Sequence, residues 1–260
     1  MSRIENTFKS AKKPLLIAFT VAGDPDRETS VAIARTLIAS GADILEFGVP
    51  FSDPLADGPV IQRADARSLE AGTNPGSVFE IVKEVREGSD IPIVLLAYYN
   101  SVYRRGMNNF YREAASAGAD GILIADMPVE ESGDAVSAAR DAGIDPIFMV
   151  SETTSDARLD EIIRRAGGFL YLVSRLGVTG ARKDLSVGIA SLLAKIKSRT
   201  TMPVAVGFGI SSPGHVRVLS AAGADAVIVG SAIVAFVEDH IGRPREMLDA
   251  LGTYIGSMRM

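Results

Sequence analysis

The chain contains no cysteine, which removes a disulfide framework, a thiolate metal site and a cysteine nucleophile from consideration. It has two histidines, His215 and His240, both in helical patterns, which argues against a histidine-built metal centre. No lysine lies within or at the end of any apolar run, so a Schiff-base aldolase lacks its nucleophile. The first run is not followed by Gly-x-Gly-x-x-Gly, the dinucleotide fingerprint. Net charge is −5 with no long basic run, so nucleic-acid or anionic-membrane binding has no electrostatic footprint. No stretch reaches the ~18 uninterrupted apolar residues of a spanning helix. The opening MSRIENTFKSAKKP has basic residues but no apolar segment before a small-residue cleavage site, and the expected location is the cytoplasm. Together the absences leave acid/base chemistry that needs neither metal nor bound cofactor.

Hydrophobic residues make up 47% of the 260 and charged residues 23%, enough to bury a full core. Eight short apolar runs recur, each followed by a helical pattern: LLIAF (15–19), ILEFG (44–48), IVLLAYY (93–99), GILIAD (121–126), PIFMV (146–150), FLYLVS (169–174), VAVGFG (204–209) and AVIVGS (226–231). Continuous apolarity, rather than strict alternation, suits parallel strands covered on both faces. With no composition break, the pattern predicts a single (β/α)8 TIM-barrel domain over 1–260; a doubly wound open sheet is the alternative. SGADILEFG, AGADGILIAD and AAGADAVIVG share a Gly-Ala-Asp lead-in, where glycine ends the preceding helix in the left-handed region and aspartate caps the turn into the strand. Before the first run, Ser2 and Glu5 have capping-box spacing and Ile4 and Phe8 lie one helical turn apart, predicting an extra N-terminal helix that closes the bottom of the barrel.

The segment EFGVPFSDPLADG (46–58) carries the most chemistry. Glu46 is a carboxylate inside an apolar strand, costly to bury unless it is paired or used. The prolines that follow restrict the loop that presents Asp57 toward the same mouth. Asp57-Gly58 and Asp53-Pro54 are also ordinary turn signals, and Asp53 is assigned to loop rigidity or a partner contact. At the ends of the seventh and eighth runs, Gly207, Gly209 and Gly230 would let a phosphate approach the backbone beside the Ser231 hydroxyl, and Gly180 in the long loop 174–186 could add an amide. Ser211 and Ser212 before Pro213 are equally explained as helix caps. Tyr98, Asn100 and Asp126 end the third and fourth strands and would line the mouth, with Phe19, Phe208 and Ile228 as apolar walls or simply as core.

These residues taken together resemble the tryptophan synthase alpha chain family. The resemblance is carried by LEFGVPFSDPLADGPVIQ (45–62), LLAYYN (95–100), LIADMPVEE (123–131), YLVSRLGVTGAR (171–182) and VGFGISSP (206–213), in this order, and runs from about Ile4 to Val237. It implies a lyase that cleaves indole-3-glycerol phosphate to indole and glyceraldehyde 3-phosphate in tryptophan biosynthesis. By motif, Glu46 would be the general acid/base and Asp57 the acceptor for the indole N–H. Gly180, Gly209, Gly230 and Ser231 would hold the phosphate, Tyr171 would stand near the site, and Thr179 would hold Asp57 when the strand-6 loop closes. The resemblance also implies a partner, the beta chain, in an α2β2 heterotetramer; pyridoxal phosphate would belong to that partner, and this chain would carry no cofactor. Val49, Phe51 and Leu55 are expected to face it. One departure is Glu152 in VSETTSDARL (150–159), where many relatives carry proline. Two other readings compete: the synthase that makes indole-glycerol phosphate, which calls for a strand-end lysine that is absent here, and a catalytically silent barrel acting as an allosteric subunit.

Overall fold

A computed structural model describes residues 1–10, 14–173, 182–207 and 209–259. The eight apolar runs form eight parallel strands: β1 (Leu15–Val21), β2 (Ile44–Gly48), β3 (Ile93–Ala97), β4 (Gly121–Ile124), β5 (Asp145–Val150), β6 (Leu170–Val173), β7 (Val204–Gly207) and β8 (Ala226–Val229). They hydrogen-bond in sequence order and β8 closes on β1, making a barrel rather than an open sheet. Helices lie between successive strands and cover its outside. Among the described residues no helix is long and apolar enough to cross a membrane.

Residue parity along each strand divides the apolar side chains into two cores. Ile17, Phe19, Ile44, Val94, Leu123, Ile147, Phe169, Ala205 and Ile228 pack together inside the barrel. Leu16, Ala18, Leu45, Phe47, Leu95, Ile122, Leu172 and Val206 pack outward against the helices. Since Ile44 points in and Leu45 and Phe47 point out, Glu46 falls on the inward side of β2, in register with Phe19 of β1 and Val94 of β3.

The bottom of the barrel is built to hold. The helix Arg3–Ser10 buries Ile4 and Phe8 in the inner core, and Phe8 stands 5.8 Å from the Phe169 ring. Its start is capped as expected, with the Glu5 N–H donating to Ser2 Oγ at 3.2 Å. Gly41, Gly118 and Gly223 have φ of 108°, 102° and 93°, which only glycine adopts without strain. The aspartates that follow reach further than a turn cap. The carboxylates of Asp43, Asp120 and Asp225 accept the N–H of Leu16 at 2.8 Å, Ile93 at 2.8 Å and Val204 at 3.0 Å, each on the preceding strand. Their own N–H groups donate to the carbonyls of those same three residues. Each repeat therefore clasps two neighbouring strands at a fixed register.

Most strand ends fall one or two residues from those of the apolar runs, and two of these shifts bear on the site. The third run stops as a strand at Ala97, because the Tyr99 N–H donates to Asp126 Oδ1 at 2.6 Å and starts the helix Tyr99–Arg105. The fourth stops at Ile124, so Asp126 belongs to the loop beyond it.

Asp120 also pairs with Arg86 at 2.7 Å and Arg3 at 2.9 Å. Asp120→Ala is expected to destabilise the chain by about 3 kcal/mol in chemical denaturation, because it leaves the Ile93 N–H without its side-chain acceptor and the half-buried Arg86 guanidinium, still bound to carbonyls, without its counter-ion. Asp120→Asn, which keeps one acceptor, should cost visibly less; equal losses would assign the effect to packing.

Candidate active site

The C-terminal ends of the strands open on a cavity of about 330 Å³. Its walls continue the inward parity of the barrel upward: Phe19 from β1, Leu96 from β3, Ala125 after β4, Met149 from β5, Tyr171 and Val173 from β6, Gly209 after β7, and Ile228, Gly230 and Ser231 at β8 and beyond. The loop after β2 adds Ala56, Asp57 and Gly58, and the helix Pro59–Glu70 adds its first turn.

Glu46 lies inside the barrel at 0% exposure, and among the described residues neither of its carboxylate oxygens has a hydrogen-bond partner. Native structures leave few buried polar atoms unpaired. Burial pushes this carboxyl up to about 8, and the negative charge of Asp57 adds to the rise. At neutral pH Glu46 is therefore mostly a neutral acid with a proton to give.

Asp57 has a different, hydrogen-bonded environment. Tyr98 Oη donates to Asp57 Oδ2 at 2.7 Å and accepts the Ala56 N–H at 3.1 Å. Burial raises the Asp57 carboxyl, and the Tyr98 hydrogen bond works against that rise by favouring the charged form. The loop itself is fastened by short bonds: the Asp57 N–H donates to the Pro54 carbonyl at 3.0 Å, and Gln62 Nε2 donates to the Asp57 carbonyl at 2.9 Å. The two carboxyls thus sit in different environments, one without a hydrogen-bond partner and one accepting from a phenol, an arrangement suited to an acid/base pair.

Tyr171 is half-buried beside them, and loss of water together with the charges of Glu46 and Asp57 holds its phenol well above the ordinary tyrosine range. Its ring occupies the space in front of Gly207, where a Cβ would come within 2.8 Å of Tyr171 Cε1 and Oη. The absence of a side chain at Gly207 thus admits the Tyr171 ring, and Gly207 is not among the residues that line the cavity. Gly209 has φ of 71° and lines the cavity. Gly230 caps the helix Ser231–Asp239, so Gly209, Gly230 and Ser231 meet at a helix N-terminus, where unpaired N–H groups and the helix dipole favour an anion.

Phe19, Tyr171, Ile228, Gly209, Gly230 and Ser231 come together with Asp57 around one cavity. Tyr98 stands behind Asp57 and acts on the cavity through it. Asp126 does not line the wall as expected: its carboxylate is engaged by the Tyr99 N–H, and it is exposed at the rim, as is Asn100. Thr179, Gly180 and Phe208 lie outside the described residues. Ser212 caps the following helix by accepting the His215 N–H, so of its two readings the cap is realised. Val49 is 3% exposed and packed in the outer core, which removes it from any partner surface. Glu152 is exposed in a turn shaped by the Ser151 N–H bonding Thr154 Oγ1 at 3.0 Å. Among the described residues no group of three or more His, Asp or Glu is arranged to hold a metal ion.

Sequence reading missed Leu96, Ala125, Met149 and Val173 as wall residues, although counting every second residue from Val94, Leu123, Ile147 and Phe169 reaches them. It also missed Asp65, a buried acid on the helix Pro59–Glu70 whose position only the helix packing reveals.

A family model described as tryptophan synthase alpha chain matches residues 6–260. The chain is 57% identical over 259 residues to the tryptophan synthase alpha chain of Methanoregula boonei, covering 100% of this chain and 98% of the relative. It is 48% identical to that of Methanothermobacter thermautotrophicus, covering 97% and 93%. Among solved structures, tryptophan synthase subunit alpha from Legionella pneumophila superposes with a TM-score of 0.91 at 34% identity, covering 99% of this chain and 97% of that one. A chain of the tryptophan synthase α2β2 complex of Pyrococcus furiosus gives 0.88 at 40% identity, covering 95% and 98%.

Folding stability carries the signature of the Glu46 environment. The folded-state value, about 8, lies above the unfolded one, near 4.5, so the native state holds the extra proton and this group's contribution is lost as pH rises between them. Relative to Glu46→Gln, the wild-type chain should lose on the order of 1.4 kcal/mol per pH unit across that window and level off above it, measured by urea denaturation from pH 5 to 9. A pH-independent difference would place a partner on Glu46.

Proposed function

We propose, for a chain that belongs to the tryptophan synthase alpha chain family, that Glu46 and Asp57 carry its reaction from the cavity just described. As a member of that family the chain is a lyase that cleaves indole-3-glycerol phosphate to indole and glyceraldehyde 3-phosphate in tryptophan biosynthesis. The observation that carries the residue assignment is the Glu46 carboxyl, fully buried and unpartnered inside the barrel, in register with Phe19, which lines the same cavity as Asp57.

The cleavage breaks the bond between indole C3 and the glycerol carbon bearing the hydroxyl. Glu46, starting neutral, protonates C3, and the ring becomes an indolenine cation. Asp57, the carboxylate, accepts the indole N–H and stabilises that charge. Glu46, now ionised, takes the hydroxyl proton. The C–C bonding pair returns to the ring as indole regains aromaticity and the aldehyde forms. One proton leaves Glu46 and one returns, so the carboxyl ends as it began. The ring itself is the electron sink.

The phosphate would rest on the N–H groups of Gly209, Gly230 and Ser231 at the start of the helix Ser231–Asp239, with Gly180 as an additional donor. Phe19, Leu96, Met149 and Ile228 would flank the indole, and Tyr171 would bring a neutral phenol to the polar end. The cavity volume, about 330 Å³, suits a ligand of this size.

A beta chain is the proposed partner, in an α2β2 assembly, and pyridoxal phosphate is assigned to that chain alone. Leu55 is 92% exposed at the tip of the loop that presents Asp57, and Tyr103, 66% exposed, stacks on Tyr99 nearby in sequence to Tyr98. Exposed apolar and aromatic side chains on the loop and helix that frame the mouth support docking there.

Release of indole from indole-3-glycerol phosphate, with and without a beta chain, tests the assignment. Glu46→Gln should lower kcat by about 10³-fold or more while substrate still binds; lost binding would make Glu46 structural. Asp57→Asn should be severely impaired, and near-normal turnover would remove it from the pair. In the wild type, kcat/KM should fall as pH rises through about 8, where Glu46 loses its proton. Asp57→Asn removes the charge that raises Glu46, so the residual activity should show this limb at lower pH; an unmoved limb would mean the two groups do not interact.

A further inference from the structure

Two helices carry the two halves of the proposed site. The helix Pro59–Glu70 follows Asp57 and sends Pro59, Val60 and Ile61 into the cavity wall, and the helix Ser231–Asp239 starts at Gly230 and Ser231 on the same wall. They pack on each other and on β1. Inside the barrel the Phe19 ring of β1 stands against backbone on both sides: a Cβ on Gly48 would come within 2.9 Å of it, and one on Gly230 within 3.2 Å.

Away from the cavity the same helices are joined by charged side chains for which the reaction above has no use. Arg67 donates through Nε and Nη2 to the two oxygens of Asp24, at 2.8 and 2.9 Å, and through Nη1 to Glu238 Oε1 at 2.7 Å. Arg63, one turn earlier on the helix, donates to Glu238 alone, at 2.8 and 2.7 Å. Asp24 is 2% exposed, in the loop after β1. That loop is held further by Ser68, beside Arg67, which donates to the Ala22 carbonyl at 2.6 Å, and by the Gly23 N–H, which donates to Ser30 Oγ at 2.9 Å. Arg67 therefore ties its own helix to the loop after β1 and to the last turn of the helix Ser231–Asp239. A guanidinium presents its donors in a rigid planar fork, so it fixes angles as well as distances between the groups it holds. Neither Arg67 nor its two carboxylates line the cavity.

We infer that Arg67 is a positioning residue: it sets the spacing between Asp57 and the phosphate seat, by fastening the helix behind Asp57 to the helix whose start receives the phosphate. This rests on the proposed roles of Asp57 and of Gly209, Gly230 and Ser231. A ligand held at two points loses the advantage of being one molecule when its two seats drift apart, even while each seat still binds its own half.

The test follows the full chain as wild type, Arg67→Met and Asp24→Asn. Binding of indole alone and of glycerol 3-phosphate alone is measured by calorimetry, and kcat/KM by indole release from indole-3-glycerol phosphate. Methionine keeps an unbranched stem and removes every donor, so Arg67→Met should bind each half within about 2-fold of the wild type while kcat/KM falls by about 10-fold or more. Wild-type kcat/KM in this variant overturns the inference. A matching loss in the binding of either half overturns it too, since that is what a merely structural role predicts. Should Arg67→Met fail to fold, Asp24→Asn decides, because it breaks the fork on one side and leaves Glu238 in place. Its kcat/KM should fall by about 3-fold or more with both halves bound normally, and an unchanged value overturns the inference. No indole release by the wild type, with or without a beta chain, would overturn the reaction assignment and the clamp with it; an active wild type leaves the variants to judge the clamp alone.

Discussion

Removing the Glu46 carboxyl from water without giving it a partner is the constraint around which the rest of the barrel mouth is arranged. A lone ionised carboxylate in that position would cost far more than a domain's net stability allows, so the group keeps its proton near neutral pH. The same desolvation that makes the residue expensive makes it a proton donor of the right strength for neutral conditions. Asp57 serves as its counterpart because Tyr98, itself held by the Ala56 amide, gives it a hydrogen bond that Glu46 lacks. Two carboxyls of similar intrinsic acidity are thereby driven to opposite tasks by their surroundings.

The cost at the mouth is balanced by order at the opposite end. Three aspartates, Asp43, Asp120 and Asp225, each clasp a neighbouring strand by side chain and backbone together, and the helix Arg3–Ser10 plugs the floor with Ile4 and Phe8. None of these groups reaches the cavity. Separating the two ends lets strand register be held rigidly at one while the other spends its polar groups on chemistry, a division inherent in this barrel class.

Much of this was legible in the chain. The eight runs read as eight strands because each is short, apolar and bounded by turn residues such as Gly-Ala-Asp, proline or paired glycines, features that act locally. Glu46 stood out because a carboxylate in such a run violates its surroundings. Other residues could not be read correctly one at a time. Asp126 has the look of a mouth residue, yet a backbone amide from the neighbouring connection, that of Tyr99, claims its carboxylate. Gly207 has the look of a phosphate glycine, yet an adjacent strand fills its space with a phenol ring. Val49 sits in a loop motif but packs inward among outer-core residues.

The sequence by itself determined the strand set, the inward parity of Glu46, the glycines that end helices and the proline-stiffened loop, since each depends on residue type and spacing within a few positions. Family membership rests on the same ground, on motifs in fixed order. Only the tertiary structure decided which groups share a cavity, which carboxyl keeps its proton and which aspartate is spent on a backbone amide. Protonation depends on the loss of water and on charges brought near through space, and both are set by strand closure and helix packing between residues far apart in the chain.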